Sequence, residues 1–209
     1  MRVFLLSPAS SNGERARIVM RKEASFGLAE RLRSPEGAPI GDVFAFLSGL
    51  YFRGKLAYAR AFAAPALDSP GVLVITPNRG LLSPETPVSI ATLRSFARVD
   101  IREADPRYRR PFSRDARLLA SAAGPDAEVV LLGSVATDKY VEVLARVFGE
   151  RLLFPSAFVG RGDMSRGGLM LRAAREGREL EYVPVLGAVR HGPRPPRLPR
   201  LARVQAEGP

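Results

Sequence analysis

Cysteine is absent from this chain. That removes disulfides, thiolate metal sites and a cysteine nucleophile. Histidine occurs once, as His191, among prolines and arginines. A Ser-His-Asp triad or a His-based metal site would rest on that residue alone, so neither is expected. Only carboxylates remain as strong ligands, and no metal or cofactor is expected. No run of about 18 apolar residues occurs, so no membrane span is expected. The opening MRVFLLSPASSNGER has too short an apolar run for a signal peptide, which points to the cytoplasm. Lysine is scarce: of 32 basic residues only Lys22, Lys55 and Lys139 are lysines.

What is present is ordinary globular material. The 209 residues are 46% hydrophobic and 25% charged, which fits one folded domain and excludes wholesale disorder. The net charge is +11. Arginine dominates it, and its planar fork suits phosphate, so an anionic partner is expected. The segment from Arg190 onward holds five arginines against Glu207, leaving +7 for residues 1–189. Residues 1–189 therefore read as the domain and 190–209 as a Pro/Arg-rich disordered tail.

Apolar runs and helical spacing alternate along the domain. Arg2–Leu6, Val72–Thr76, Glu128–Leu132, Arg151–Phe154 and Tyr182–Leu186 read as strands. Met20, Ala24, Leu28 and Leu32 share one face of a helix running from about Glu14. Asp42–Phe62 reads as two helical pieces, with Asp42 capping the first and a break at Ser48-Gly49. Ala64–Pro70 reads as loop, Ala91–Ala97 as helix, Asp105–Arg114 as a solvated arginine-rich connection and Asp115–Ala123 as helix. Thr137–Phe148 reads as a helix closed by Gly149. A glycine-rich loop, Gly160–Gly168, precedes a helix near Leu169–Glu176. The alternation predicts a single α/β domain with a central mixed sheet flanked by helices.

Ligands in such sheets sit beyond the carboxyl ends of the strands. Four turns would then lie along one rim: Ser7–Ser10, Pro77–Gly80, Gly133-Ser134 and Gly160–Gly168. The densest is Phe158–Arg172, where Arg161 and Arg166 supply charge and Asp163 and Ser165 supply polar groups. A helix beginning near Asp163 would turn free N–H groups toward an anion. An ordinary turn with Asp163 as N-cap is the competing reading. Ser134, Lys139 and Tyr140 follow a strand and open a helix, although Ser134 or Thr137 could simply cap it. Asp138 and Glu142 read better as a solvated face, with Glu142 paired to Arg146, than as an acid–base pair. Tyr51, Phe52 and Tyr58 beside Arg53, Lys55 and Arg60 could stack bases, but core aromatics are the commoner meaning.

The order of these motifs resembles the YaaA peroxide-stress family. Leu5–Ser10 is similar to the family's Ser-Pro-Ala-Lys turn and Gly41–Phe44 to its Gly-Asp-Val-Tyr segment. Arg79–Pro84 is similar to its Tyr-Gly-Leu-Leu-Arg-Pro turn, and Leu132–Ser134 through Lys139-Tyr140 to its Leu-Ala-Ser-x-Glu-Tyr segment. Val159–Arg166 is similar to its Lys-Lys-Ala-Arg-Gly-x-Met-Ser/Ala-Arg motif. The resemblance implies a compact α/β body, DNA binding, and protection of DNA under oxidative stress. Only about 30 residues fill the interval where the family carries its DNA-binding hairpin, so that hairpin is expected to be reduced or missing.

Two functions are expected from this. The first is a nucleic-acid or nucleotide-like anion binder whose rim is Ser7, Ser134, Lys139, Tyr140, Arg161, Ser165 and Arg166. The second is an enzyme acting on a nucleobase, nucleoside or nucleotide. Its pocket would be built from Asp42, Ser134, Arg161 and Arg166, with Asp42 or Asp163 as general acid or base.

Overall fold

A computed structural model describes residues 1–65, 70–101, 105–196 and 198. Residues 66–69, inside the loop expected from Ala64 to Pro70, and residues 197 and 199–209 of the tail lie outside the described residues.

The chain starts with β1 (Arg2–Leu6), α1 (Glu14–Met20), α2 (Gly27–Arg31), β2 (Ala38–Pro39), α3 (Ile40–Ser48) and α4 (Leu50–Phe62). Next come β3 (Val72–Ile75), β4 (Leu81–Leu82), β5 (Pro87–Val88), α5 (Ile90–Ala97) and α6 (Pro106–Ala123). The last part holds β6 (Glu128–Leu132), α7 (Asp138–Phe148), β7 (Leu152–Pro155), α8 (Asp163–Glu176) and β8 (Tyr182–Pro184). Six strands form one sheet in the order β4-β3-β1-β6-β7-β8, and β2 pairs with β5 apart from it. The inner strands β3, β1, β6 and β7 run parallel, while β4 and β8 close the edges antiparallel. The expected mixed α/β sheet is therefore present.

Val3, Phe4, Leu5 and Leu6 are all fully buried, as are Val129 to Leu132. Consecutive burial means that both faces of the sheet are covered, which is why these strands are unbroken apolar runs. From β1 the chain crosses leftward to β3; from β6 it crosses rightward to β7. Right-handed crossovers then place α4 and α7 on opposite faces. Helix pairing agrees: α4 packs on α8, and α6 on α7. Tyr58 of α4 sets its ring edge-on against Phe4 at 5.8 Å.

Several local expectations are corrected. The single helix expected from Glu14 to Leu32 is two short ones, because the chain leaves helical geometry at Arg21. Asp42 caps nothing: α3 begins at Ile40 with Pro39 before it, and Asp42 lies in its first turn. The supposed connection Asp105–Arg114 is the first half of α6. Asp105 accepts from the Arg107 N–H, Pro106 opens the helix, and Tyr108, Phe112, Ala116 and Leu119 form its buried stripe.

The glycine-rich segment also differs. α8 starts at Asp163, so Gly167 and Gly168 are helical. Gly167 sits where α8 crosses α4; a Cβ there would fall 2.7 Å from the Leu50 carbonyl oxygen. A Cβ on Gly54 of α4 would meet the Gly167 carbonyl oxygen at 2.5 Å. These glycines let two helix backbones touch, a need that composition reads as loop.

The described part of the tail has no helix or strand, yet it is held. Arg190 donates to Asp138 at 3.1 Å and to the Val135 carbonyl, and Pro193 lies against Gly160.

Candidate functional site

Connections leave β1 and β6 in opposite directions, which opens a crevice between their carboxyl ends, the usual ligand position in such sheets. A cavity of about 760 Å³ lies at this end of the sheet. Ser7 to Asn12 enter it from the β1 turn, Ser134 from the β6 turn, and Lys139 and Tyr140 from α7. Asp163 comes from the start of α8, Tyr51 from α4, and Phe96 to Ile101 from the end of α5. Gly133 allows this convergence, since a Cβ there would press on the Ser7 side chain at 2.8 Å.

Beneath the Ser7 turn lies Lys55 of α4, which is 1% exposed. Its Nζ donates to the Ser7 carbonyl oxygen at 2.6 Å and lies 2.9 Å from Ser7 Oγ. It also lies 4.4 Å from the centre of the Tyr51 ring and 4.8 Å from that of Phe52. Burial drives its pKa down to about 7; Asp163 opposes that shift and Lys139 adds to it. A large share of this amine is therefore uncharged at neutral pH.

Two phenols complete the inner wall. Burial pushes Tyr51 up to about 12, with Arg166 and Ser7 pulling the other way and Asp163 adding to the rise. Among the described residues its buried hydroxyl has no partner in hydrogen-bonding geometry. Burial likewise raises Tyr140 well above its usual value. Both phenols stay protonated and can donate.

The site residues expected from sequence separate into four groups. Ser7, Ser134, Lys139, Tyr140 and Asp163 come together in this cavity. Arg161 and Ser165 do not: they line a second cleft of about 360 Å³, with Arg172, Arg194, Pro195 and Pro196. There Arg161 donates to the Ala157 carbonyl and the Ser165 hydroxyl. Arg166 lies inside the body at 8% exposure; its guanidinium donates to the Phe158 carbonyl at 3.0 and 3.2 Å and pairs with Asp163 at 3.9 Å. It is a structural cation next to Tyr51.

The pocket expected from Asp42, Ser134, Arg161 and Arg166 is thus not formed. Asp42 is exposed and pairs with Arg31 at 3.3 Å, outside both cavities. Glu142 pairs with Arg109 and Arg146, so it forms no acid–base pair with Asp138.

Sequence reasoning undervalued Lys55, Tyr51 and the Phe96–Ile101 segment. One signal was available. Two of the three lysines in this arginine-rich chain, Lys55 and Lys139, lie at the cavity. Arginine cannot supply a neutral base, so a lysine kept among arginines marks a place where the amine matters. Among the described residues, no helix is long and apolar enough to cross a membrane. In comparisons with family models, curated proteins and solved structures, none matches the chain.

Proposed function

We propose that the cavity between the β1 and β6 turns binds a nucleotide-like anion, one unit at a time. The observation that carries this reading is the convergence of Ser7 with Ser134, Lys139 and Tyr140, from two distant parts of the chain, on one concave site. Its volume falls in the range of small-molecule sites. Serine hydroxyls, Lys139 and Arg98 suit phosphate or ribose oxygens. The groups are recessed, which favours a mononucleotide or a flipped-out nucleotide over an intact duplex. The resemblance to the YaaA family supports a nucleic-acid-related ligand and adds a role in DNA protection under oxidative stress.

A thermal-shift series on the full chain tests the binding. Nucleoside mono- and triphosphates at about 100 times their Kd should raise stability by roughly 2.7 kcal/mol, a Tm rise of several degrees. Ser134→Tyr should fill the cavity, keep the unliganded Tm within about 2 °C and remove the shift. A shift that survives Ser134→Tyr, or none with any nucleotide, refutes the reading.

A further inference from the structure

We propose that Ser7 is a catalytic nucleophile with Lys55 as its general base, so that the cavity cleaves a carboxylic ester carried by a nucleotide-like anion. The substrate class rests on the reading of the cavity given above; the nucleophile and base rest on their own geometry.

A nucleophile and its base must lie within hydrogen-bond reach, with the base held by a third group. Lys55 Nζ is 2.9 Å from Ser7 Oγ, and the Ser7 carbonyl at 2.6 Å holds it there. The arrangement has a direction: Ser7 lines the cavity and Lys55 does not. The amine lies beside the Ser7 hydroxyl, next to the Tyr51 and Phe52 rings. An ordinary lysine is fully protonated at neutral pH and cannot accept a proton; burial makes this one able to. Ser7 is fixed by its own N–H on the Leu132 carbonyl at 3.1 Å.

Among the described residues the buried Tyr51 hydroxyl has no partner in hydrogen-bonding geometry, and Tyr51 lines the same cavity. Tyr140 lines it too. Both phenols keep their protons and are available to a developing oxyanion.

Ser7 Oγ attacks the ester carbonyl carbon while its proton passes to Lys55 Nζ. The tetrahedral oxyanion takes hydrogen bonds from Tyr51 and Tyr140. The C–O bond to the alcohol breaks, and Lys55 returns the proton to the departing alkoxide. Water then attacks the acyl-serine, gives its proton to Lys55, and the acid leaves as Ser7 Oγ is reprotonated. The sum is ester plus water to acid plus alcohol.

The test uses the full chain with an alkyl fluorophosphonate and with p-nitrophenyl acetate. We expect one phosphonyl adduct, mapped to Ser7 by tandem mass spectrometry, with fluoride released. Nitrophenolate release should rise with pH and level off above about 7. Ser7→Ala should abolish both signals. Lys55→Met should slow release at least about 100-fold and lose the inflection, and Lys55→Arg should not restore it. If Lys55→Met fails to fold, Tyr51→Phe and the wild-type pH profile decide, the former with a roughly 100-fold loss. Labelling of another residue, release unchanged in Ser7→Ala, or a flat wild-type profile overturns the proposal. Ser7 labelling without any nucleotide shift would keep the nucleophile and reject the nucleotide-like substrate.

Discussion

At the scale of single residues, Lys55 is the most informative side chain. An amine held at about pKa 7 inside the protein regains its ordinary value near 10.5 when the chain unfolds. Between those values the unfolded state binds a proton that the folded state does not. Stability therefore rises with pH from about 7 toward 10.5, and below 7 the full penalty, roughly 5 kcal/mol, is in force. Above about 10 the buried phenols work the other way, because unfolding lets them ionise. Urea melts of wild type from pH 7 to 10 should show rising stability, and Lys55→Met should show a nearly flat curve. Equal slopes would mean that Lys55 is charged in the fold. The residue was hard to find by reading because it sits in a helix beside Tyr51, Phe52 and Tyr58, a pattern that normally means core. Ser7 and Ser134 are readable because each comes within two residues of the end of an apolar strand. Asp42 stands out only through a local motif, and nothing in such a motif says which direction a carboxylate faces.

At the scale of elements, the crossing of α4 and α8 holds the site together. α4 carries Tyr51 and Lys55; α8 carries Asp163 and Arg166. Gly54 and Gly167 set their separation, with backbone against backbone. Gly167→Val has no flexible neighbour to push aside. It should cost about 3 kcal/mol and lower Tm by roughly 5–10 °C. It should also weaken nucleotide binding by displacing Tyr51; an unchanged Tm would mean that the helices slide apart freely. The same crossing explains why Gly167 and Gly168 read as loop although α8 runs through them. Local propensity counts glycine against a helix, while the tertiary contact requires it. The first half of α6 reads as a connection for a related reason. Its arginines hid a stripe at Tyr108, Phe112, Ala116 and Leu119, although Asp105-Pro106 already marked its start. β1, β3, β6 and β7 were legible within a residue or two, because burial on both faces leaves an uninterrupted apolar run.

At the scale of the whole molecule, strand order decides where ligands go. The chain leaves β1 one way and β6 the other, so their turns part and leave room between them. That order was not in the sequence; only the alternation of strand and helix was. The +11 charge belongs to a different level. Spread over the surface, it should hold oligonucleotides loosely and with steep salt dependence, whereas a mononucleotide in the cavity meets few charges. Between 50 and 200 mM salt, calorimetry should find oligonucleotide affinity falling by about 10³ or more and mononucleotide affinity by less than about tenfold. Matching losses would place both ligands on the same diffuse surface.

Amide hydrogen exchange on the full chain, with and without saturating nucleotide, reads the location of binding directly. Exchange should slow in residues 7–13, 97–101 and 133–140, the three segments that meet at the cavity. Slowing confined to residues 160–172 and the tail would put the ligand in the second cleft and contradict the account.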